Sequence, residues 1–86
     1  MMTASQLRAA RALLGVDQKM LAELSGVSVP TIQRMEASQG NVRGVVDSLT
    51  KVVEALNLAG VELIGDGATS PGGGRGVRLR EPAPPN

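Results

Sequence analysis

The chain has 86 residues and a formal net charge of +1, which suits one small domain and excludes a multidomain protein. The absence of Cys and His removes disulfides, thiolate metal sites, the commonest metal ligand and the commonest general base near neutral pH. The absence of Phe, Trp and Tyr leaves an aliphatic core and no aromatic platform on which bases could stack, against an RNA-recognition or single-strand-binding module.

In chain order, the first apolar periodicity predicts a helix over residues 5–14. Leu7, Ala10, Leu13 and Leu14 form its stripe, Gln6, Arg8 and Arg11 lie elsewhere, and Gly15 is its stop. Asp17 caps a second helix over residues 18–25, with Met20, Leu21 and Leu24 pointing inward and Gly26 ending it. Ser28 caps a third, from Val29 to about Ala37, which admits Pro30 in its first turn and buries Ile32 and Met35. Residues 38–44 read as an exposed loop. A fourth helix runs from about Val46 to Ala59, with Leu49, Val52, Val53 and Leu56 on its inner face and Gly60 as its stop. Two short β-branched segments, 61–64 and 77–80, predict one hairpin. Between them residues 65–76 carry six glycines and read as a linker, and residues 81–86 read as a disordered tail. The divisions are thus a helical domain over 1–60, a hairpin over 61–80 and the tail.

Charge is uneven along this plan. Arg8, Arg11, Lys19, Arg34 and Arg43 against Asp17, Glu23 and Glu36 leave residues 1–44 at +2, whereas Lys51 against Asp47, Glu54, Glu62 and Asp66 leaves residues 45–66 at −3. A basic half joined to an acidic middle fits a polyanion met through one face, and equally an ordinary solvated surface.

A helix, a glycine turn at Gly26 and a further helix, with helices before and after, is the plan that sets a recognition helix in the DNA major groove. On that plan the inward Ile32 and Met35 leave Val29, Pro30, Thr31, Gln33 and Arg34 to face bases. Arg34 is the strongest reader, able to grip guanine O6 and N7 with two hydrogen bonds, with a phosphate contact as its rival role. Val29 and Pro30 offer only apolar contact, for example to a thymine methyl group. Gln18, Lys19, Ser28, Asn41 and Arg43 are candidates for phosphate, with Gln18 and Ser28 placed at helix N-termini. Gln18 could equally be a plain surface residue and Ser28 only a cap. An uncovered two-stranded hairpin is marginal in water, so the expectation is a homodimer that buries Val61, Leu63, Ile64, Val77 and Leu79 across a two-fold axis. Arg75, Arg78 and Arg80 read as solubility charges on an edge strand, with a second DNA contact as the less favoured role. The glycine-rich stretch lacks the Lys-Ser or Lys-Thr of a phosphate loop, and no Ser or Thr has a His base. Neither enzyme activity nor a metal or other cofactor is expected.

The segment Asp17 to Glu36, DQKMLAELSGVSVPTIQRME, resembles the XRE, phage-repressor-like (Cro-like) helix-turn-helix family, and residues 4 to about 60 resemble that family's helical domain. The resemblance implies a mainly α, compact four-helix domain, to which the residue pattern adds the short C-terminal β-hairpin, and a buried ion pair between Arg11 and Glu36 that ties the first helix to the third. It implies a repressor or autoregulator that binds double-stranded DNA at an inverted repeat as a homodimer, with the bacterial nucleoid; the apolar runs, far short of the roughly 20 residues of a membrane span, add the expectation of a cytoplasmic protein with no membrane partner. Val29 and Pro30 stand where many relatives carry polar or basic readers. The alternative function is accordingly a protein-binding regulator, such as an antitoxin or antiactivator, that uses the same surface on a protein partner.

Overall fold

A computed structural model describes residues 2–42, 44, 46–65 and 71–81. Helices α1 (Ala4–Leu14), α2 (Gln18–Ser25), α3 (Val29–Glu36) and α4 (Val46–Leu58) precede strands β1 (Val61–Ile64) and β2 (Gly76–Leu79). The strands form a two-stranded antiparallel sheet in which Val61 faces Leu79 and Leu63 faces Val77.

Local chemistry sets each boundary. Thr3 and Gln6 form a reciprocal capping box that starts α1 one residue before the predicted position. Asp17 and Ser28 accept from Met20 N and Thr31 N to cap α2 and α3. Gly15 and Gly26 end α1 and α2 in the left-handed region, at φ of 68° and 72°, where an L side chain is strained. The third helix ends one residue earlier than predicted and without a glycine, at Ala37 in a right-handed conformation. β2 begins at Gly76 and not Val77, so the predicted Arg80 lies just past it.

Leu7, Leu21, Ile32, Met35, Val52, Leu56 and Val61 are fully buried and join all four helices and the hairpin in one aliphatic core. Each such side chain contributes about 1.5–3 kcal/mol relative to exposure. Three expected core residues are exposed: Leu13, Met20 and Leu24. In α2 the inward stripe is Gln18, Leu21, Ala22 and Ser25 at helical spacing, so the apolar Met20 and Leu24, four apart, lie on its solvent side.

The hairpin finds its cover within its own chain, packing on α1 and α4. Val61 is completely buried there, and Leu63 and Val77 are partly buried against the same core. Gln6 fastens it. Its amide nitrogen donates to the carbonyls of Ile64 and Gly76, both at 2.9 Å, while its oxygen accepts from Thr3 N at 2.9 Å. Ile64 and Gly76 are partners in the ladder, so one buried amide joins both strands to α1. Residues 66–70 of the predicted Gly-rich linker and 82–86 of the predicted tail lie outside the described residues.

Candidate nucleic-acid interface

The turn between α2 and α3 is built to hold a fixed angle. Gly26 N donates to Ala22 O at 2.9 Å. Ser25 Oγ donates to Leu21 O at 2.7 Å and accepts from Val27 N at 3.3 Å, and Val27 plugs into the core. Ile32, Met35 and Glu36 form the buried stripe of α3. Its opposite face carries Pro30, Gln33 and Arg34 exposed, with Val29 and Thr31 half-buried.

Three polar side chains run along that outer face. Ser28 Oγ donates to Thr31 Oγ1 at 2.9 Å, and Arg34 Nη2 donates to the same oxygen at 3.1 Å. Arg34 is thereby drawn toward the N-terminal end of α3, where backbone N–H groups and the helix dipole favour an anion. Ser28 both caps the helix and joins this chain of side-chain hydrogen bonds.

Behind α3 the Glu36 carboxylate gathers the other two helices. Arg11 Nε and Nη2 donate to Glu36 Oε2 and Oε1 at 2.6 and 2.8 Å, and Gln18 Nε2 donates to Oε1 at 3.1 Å. The predicted Arg11–Glu36 pair is therefore present and bidentate. Arg11 also donates to Val16 O at 3.1 Å. Arg8 donates to the backbone carbonyl of Glu36, closing the C-terminal end of α3. Burial raises the pKa of Glu36, but the hydrogen bonds from Arg11 and Gln18 and the charges of Arg11 and Arg8 outweigh it, leaving the carboxyl below its ordinary range. The Glu36 hydrogen bond raises Arg11 in turn, against a smaller opposing effect of burial.

This network engages two of the cations of the first three helices. Arg8 and Arg11 serve the protein's own frame, which leaves Lys19 and Arg34 outside it among the cations of α1 to α3. Lys19 is exposed on the first turn of α2. Gln18 is turned toward Glu36, so its amide nitrogen is engaged inside the protein.

The loop after α3 is pinned to the N-terminus. Ala4 N donates to Gly40 O and Val42 N to Met2 O, both at 2.9 Å, giving an isolated bridge between Thr3 and Asn41. Asn41 is exposed, and its Oδ1 accepts from Arg75 Nη1 at 3.2 Å. Arg43 lies outside the described residues. Of the expected dimer contacts, Val61 belongs to the chain's own core, Leu63, Ile64 and Val77 are half-buried, and Leu79 is exposed.

Two positions escaped the sequence reading. Arg8 lies three residues before Arg11, on the same side of α1, and that spacing could have marked it as a second arm toward α3. Gln6 was legible as the last residue of a Thr-x-x-Gln capping box, although its contacts to the hairpin were not.

A short helix held outward behind a glycine turn, with a second helix across it and a third bracing both, defines a helix-turn-helix module, the class that presents one helix to a DNA groove. The family model described as Helix-turn-helix matches residues 7–63, and the chain belongs to this XRE/Cro-like family of DNA-binding regulatory domains, which is not an enzyme family. No curated protein matches the sequence. Among the described residues no helix is long and apolar enough to cross a membrane, and no three acidic side chains cluster as a metal site would need.

Proposed function

We propose that the protein is a transcriptional repressor or autoregulator that reads an inverted repeat as a homodimer, with α3 of each copy in the major groove. The observation that carries this reading is the outer face of α3. Pro30, Gln33 and Arg34 stand exposed there, while Glu36 on the opposite face fixes the helix to α1 and α2. Arg34 reads bases, with Gln33 and Thr31 beside it and Val29 and Pro30 in apolar contact. Lys19, Ser28, Asn41 and Arg43 hold the phosphates, and Gln18 contributes through its place at the start of α2. The two copies meet at the hairpin around Leu79 and Ile64, with Leu63 and Val77 behind them. Working on chromosomal DNA, the protein acts in the cytoplasm at the nucleoid.

Selection of duplexes from a random pool tests this directly. The wild type enriches an inverted repeat with half-sites about one helical turn, roughly 34 Å, apart, and Arg34→Ala loses the enrichment. A folded wild type that enriches nothing refutes the reading.

One observation favours a second reading, a protein partner. Met20 and Leu24 are 44% and 52% exposed on α2, an apolar pair on one helix face close in sequence to Val29 and Pro30. Apolar association of this kind is nearly insensitive to salt, whereas DNA binding weakens steeply as counterions compete. The salt dependence of whichever complex forms separates the two.

A further inference from the structure

Three polar side chains on the outer face of α3 share their hydrogen bonds in a way that fixes what that face can recognise. Ser28, Thr31 and Arg34 recur every three residues, so their side chains follow one another along the helix. Ser28 Oγ accepts from Thr31 N at 3.4 Å and gives its own proton to Thr31 Oγ1 at 2.9 Å. The same Oγ1 accepts from Arg34 Nη2 at 3.1 Å. A hydroxyl oxygen has two lone pairs, and at Thr31 these two bonds occupy both. What Thr31 can offer outside the chain is its hydroxyl proton alone. Arg34 is a donor by its chemistry, since a guanidinium has five N–H groups and no acceptor; the bond to Thr31 takes one and leaves a fork of two. Gln33, exposed on the same face, carries both a donor and an acceptor.

We propose that Thr31 and Arg34 form one donor-only reading unit, which takes a guanine together with a neighbouring base on the same strand that presents a major-groove acceptor, and which refuses cytosine there. The proposal rests on α3 being the groove helix. Arg34 grips guanine O6 and N7 with its fork. Its Nη2 lies 3.1 Å from Thr31 Oγ1, close to the rise of about 3.4 Å between stacked bases, so the hydroxyl beside a guanidinium that grips one base is level with the next. At that level guanine and adenine offer N7 and thymine offers O4, whereas cytosine offers only its N4 amino group. An amino group against the Thr31 hydroxyl sets donor against donor and leaves both unpaired. Thr31 cannot accept from it without giving up a bond to Ser28 or Arg34. Gln33 is thus the residue beside them that can meet an amino group, and with it adenine.

The test uses the full chain and fluorescein-labelled duplexes that carry the selected site. The guanine whose preference Arg34→Ala loses is kept, and the base on each side of it is varied in turn through adenine, guanine, thymine and cytosine. Anisotropy at one salt concentration gives the affinities. One hydrogen bond corresponds to about 2- to 12-fold in affinity, and the wild type is expected to bind the cytosine duplex weaker by about that factor on one side of the guanine. Thr31→Ser keeps the hydroxyl and is expected to keep this ratio. Thr31→Val keeps the shape without the proton, and its ratio is expected to fall to about one while guanine stays preferred through Arg34. A wild-type ratio near one on both sides of the guanine overturns the proposal, as does an undiminished ratio in Thr31→Val or a selected site with no guanine that depends on Arg34. Where the wild type enriches a site that Arg34→Ala loses, such results defeat this proposal alone. A wild type that enriches nothing defeats the reading of α3 as well.

Discussion

Replacing Glu36 with Ala should unfold the domain more readily than any loss of buried methylenes alone would suggest. The Glu36 side chain is 6% exposed and its carboxylate accepts three hydrogen bonds, two from Arg11 and one from Gln18. Without it, a guanidinium whose side chain is 21% exposed faces a cavity with one remaining bond, to Val16 O. Removing one partner of a buried ion pair costs about 3–5 kcal/mol. The partial access of Arg11 to water places the loss near the lower end, at about 3 kcal/mol. For a domain this small, each kcal/mol lowers the melting temperature by about 4–8 °C, so a fall of about 12–24 °C is expected. Urea denaturation followed by far-ultraviolet circular dichroism at neutral pH gives the free energy. Arg11→Met and the double variant complete a cycle in which the double costs much less than the sum, because an apolar pair leaves no orphaned charge. A loss below about 1 kcal/mol for Glu36→Ala would refute the claim that this carboxylate braces the three helices.

The same carboxyl makes stability depend on pH. Its pKa is lowered on folding, so its ionised form stabilises the fold above the unfolded pKa and that contribution fades as pH falls through the folded value; the gap in melting temperature between wild type and Glu36→Gln should therefore narrow below about pH 4. Gln6→Ala leaves two strand carbonyls and Thr3 N without their partner and should cost about 2–3 kcal/mol, with hydrogen exchange quickening in β1 and β2 before α2 and α3; uniform quickening would show that the hairpin does not hang on this amide. At Gly26 an added Cβ meets nothing within 4 Å, so Gly26→Ala should cost only the left-handed strain of about 1–2 kcal/mol, and Gly26→Val, which is β-branched, distinctly more by thermal melt. Arg34→Ala should keep the wild-type melting temperature and lose about 1–3 kcal/mol of affinity for the selected site, and much less for random duplex.

Much of this fold can be read from the residues because its punctuation is local. Asp17 and Ser28 as caps, and Gly15, Gly26 and Gly60 as stops, bound the helices to within a residue or two, since each acts on backbone groups a few positions away. Errors arise where tertiary context outweighs local character. In α2 a rule that follows apolarity selects Met20 and Leu24, but the face turned to the core is Gln18, Leu21, Ala22 and Ser25, because close packing and the Glu36 network ask for small and amide side chains there. The hairpin looks uncovered in the sequence because its support, α1 and the Gln6 amide, lies 58 and 70 residues away along the chain. In the candidate site, the outer face of α3 follows from helical period once Ile32 and Met35 are assigned inward. The engagement of Gln18 by Glu36 and the reach of Arg75 to Asn41 depend on contacts between distant segments, which no local pattern encodes.

Mapping of amide shifts shows whether the outer face of α3 meets DNA. Isotopically labelled protein is titrated with the duplex recovered by selection. The largest changes are expected over Ser28 to Arg34, with further changes at Lys19 and Asn41, and little effect along the exposed side of α4 at Lys51 and Glu54. Changes concentrated on Met20 and Leu24, with α3 unmoved, would contradict that expectation.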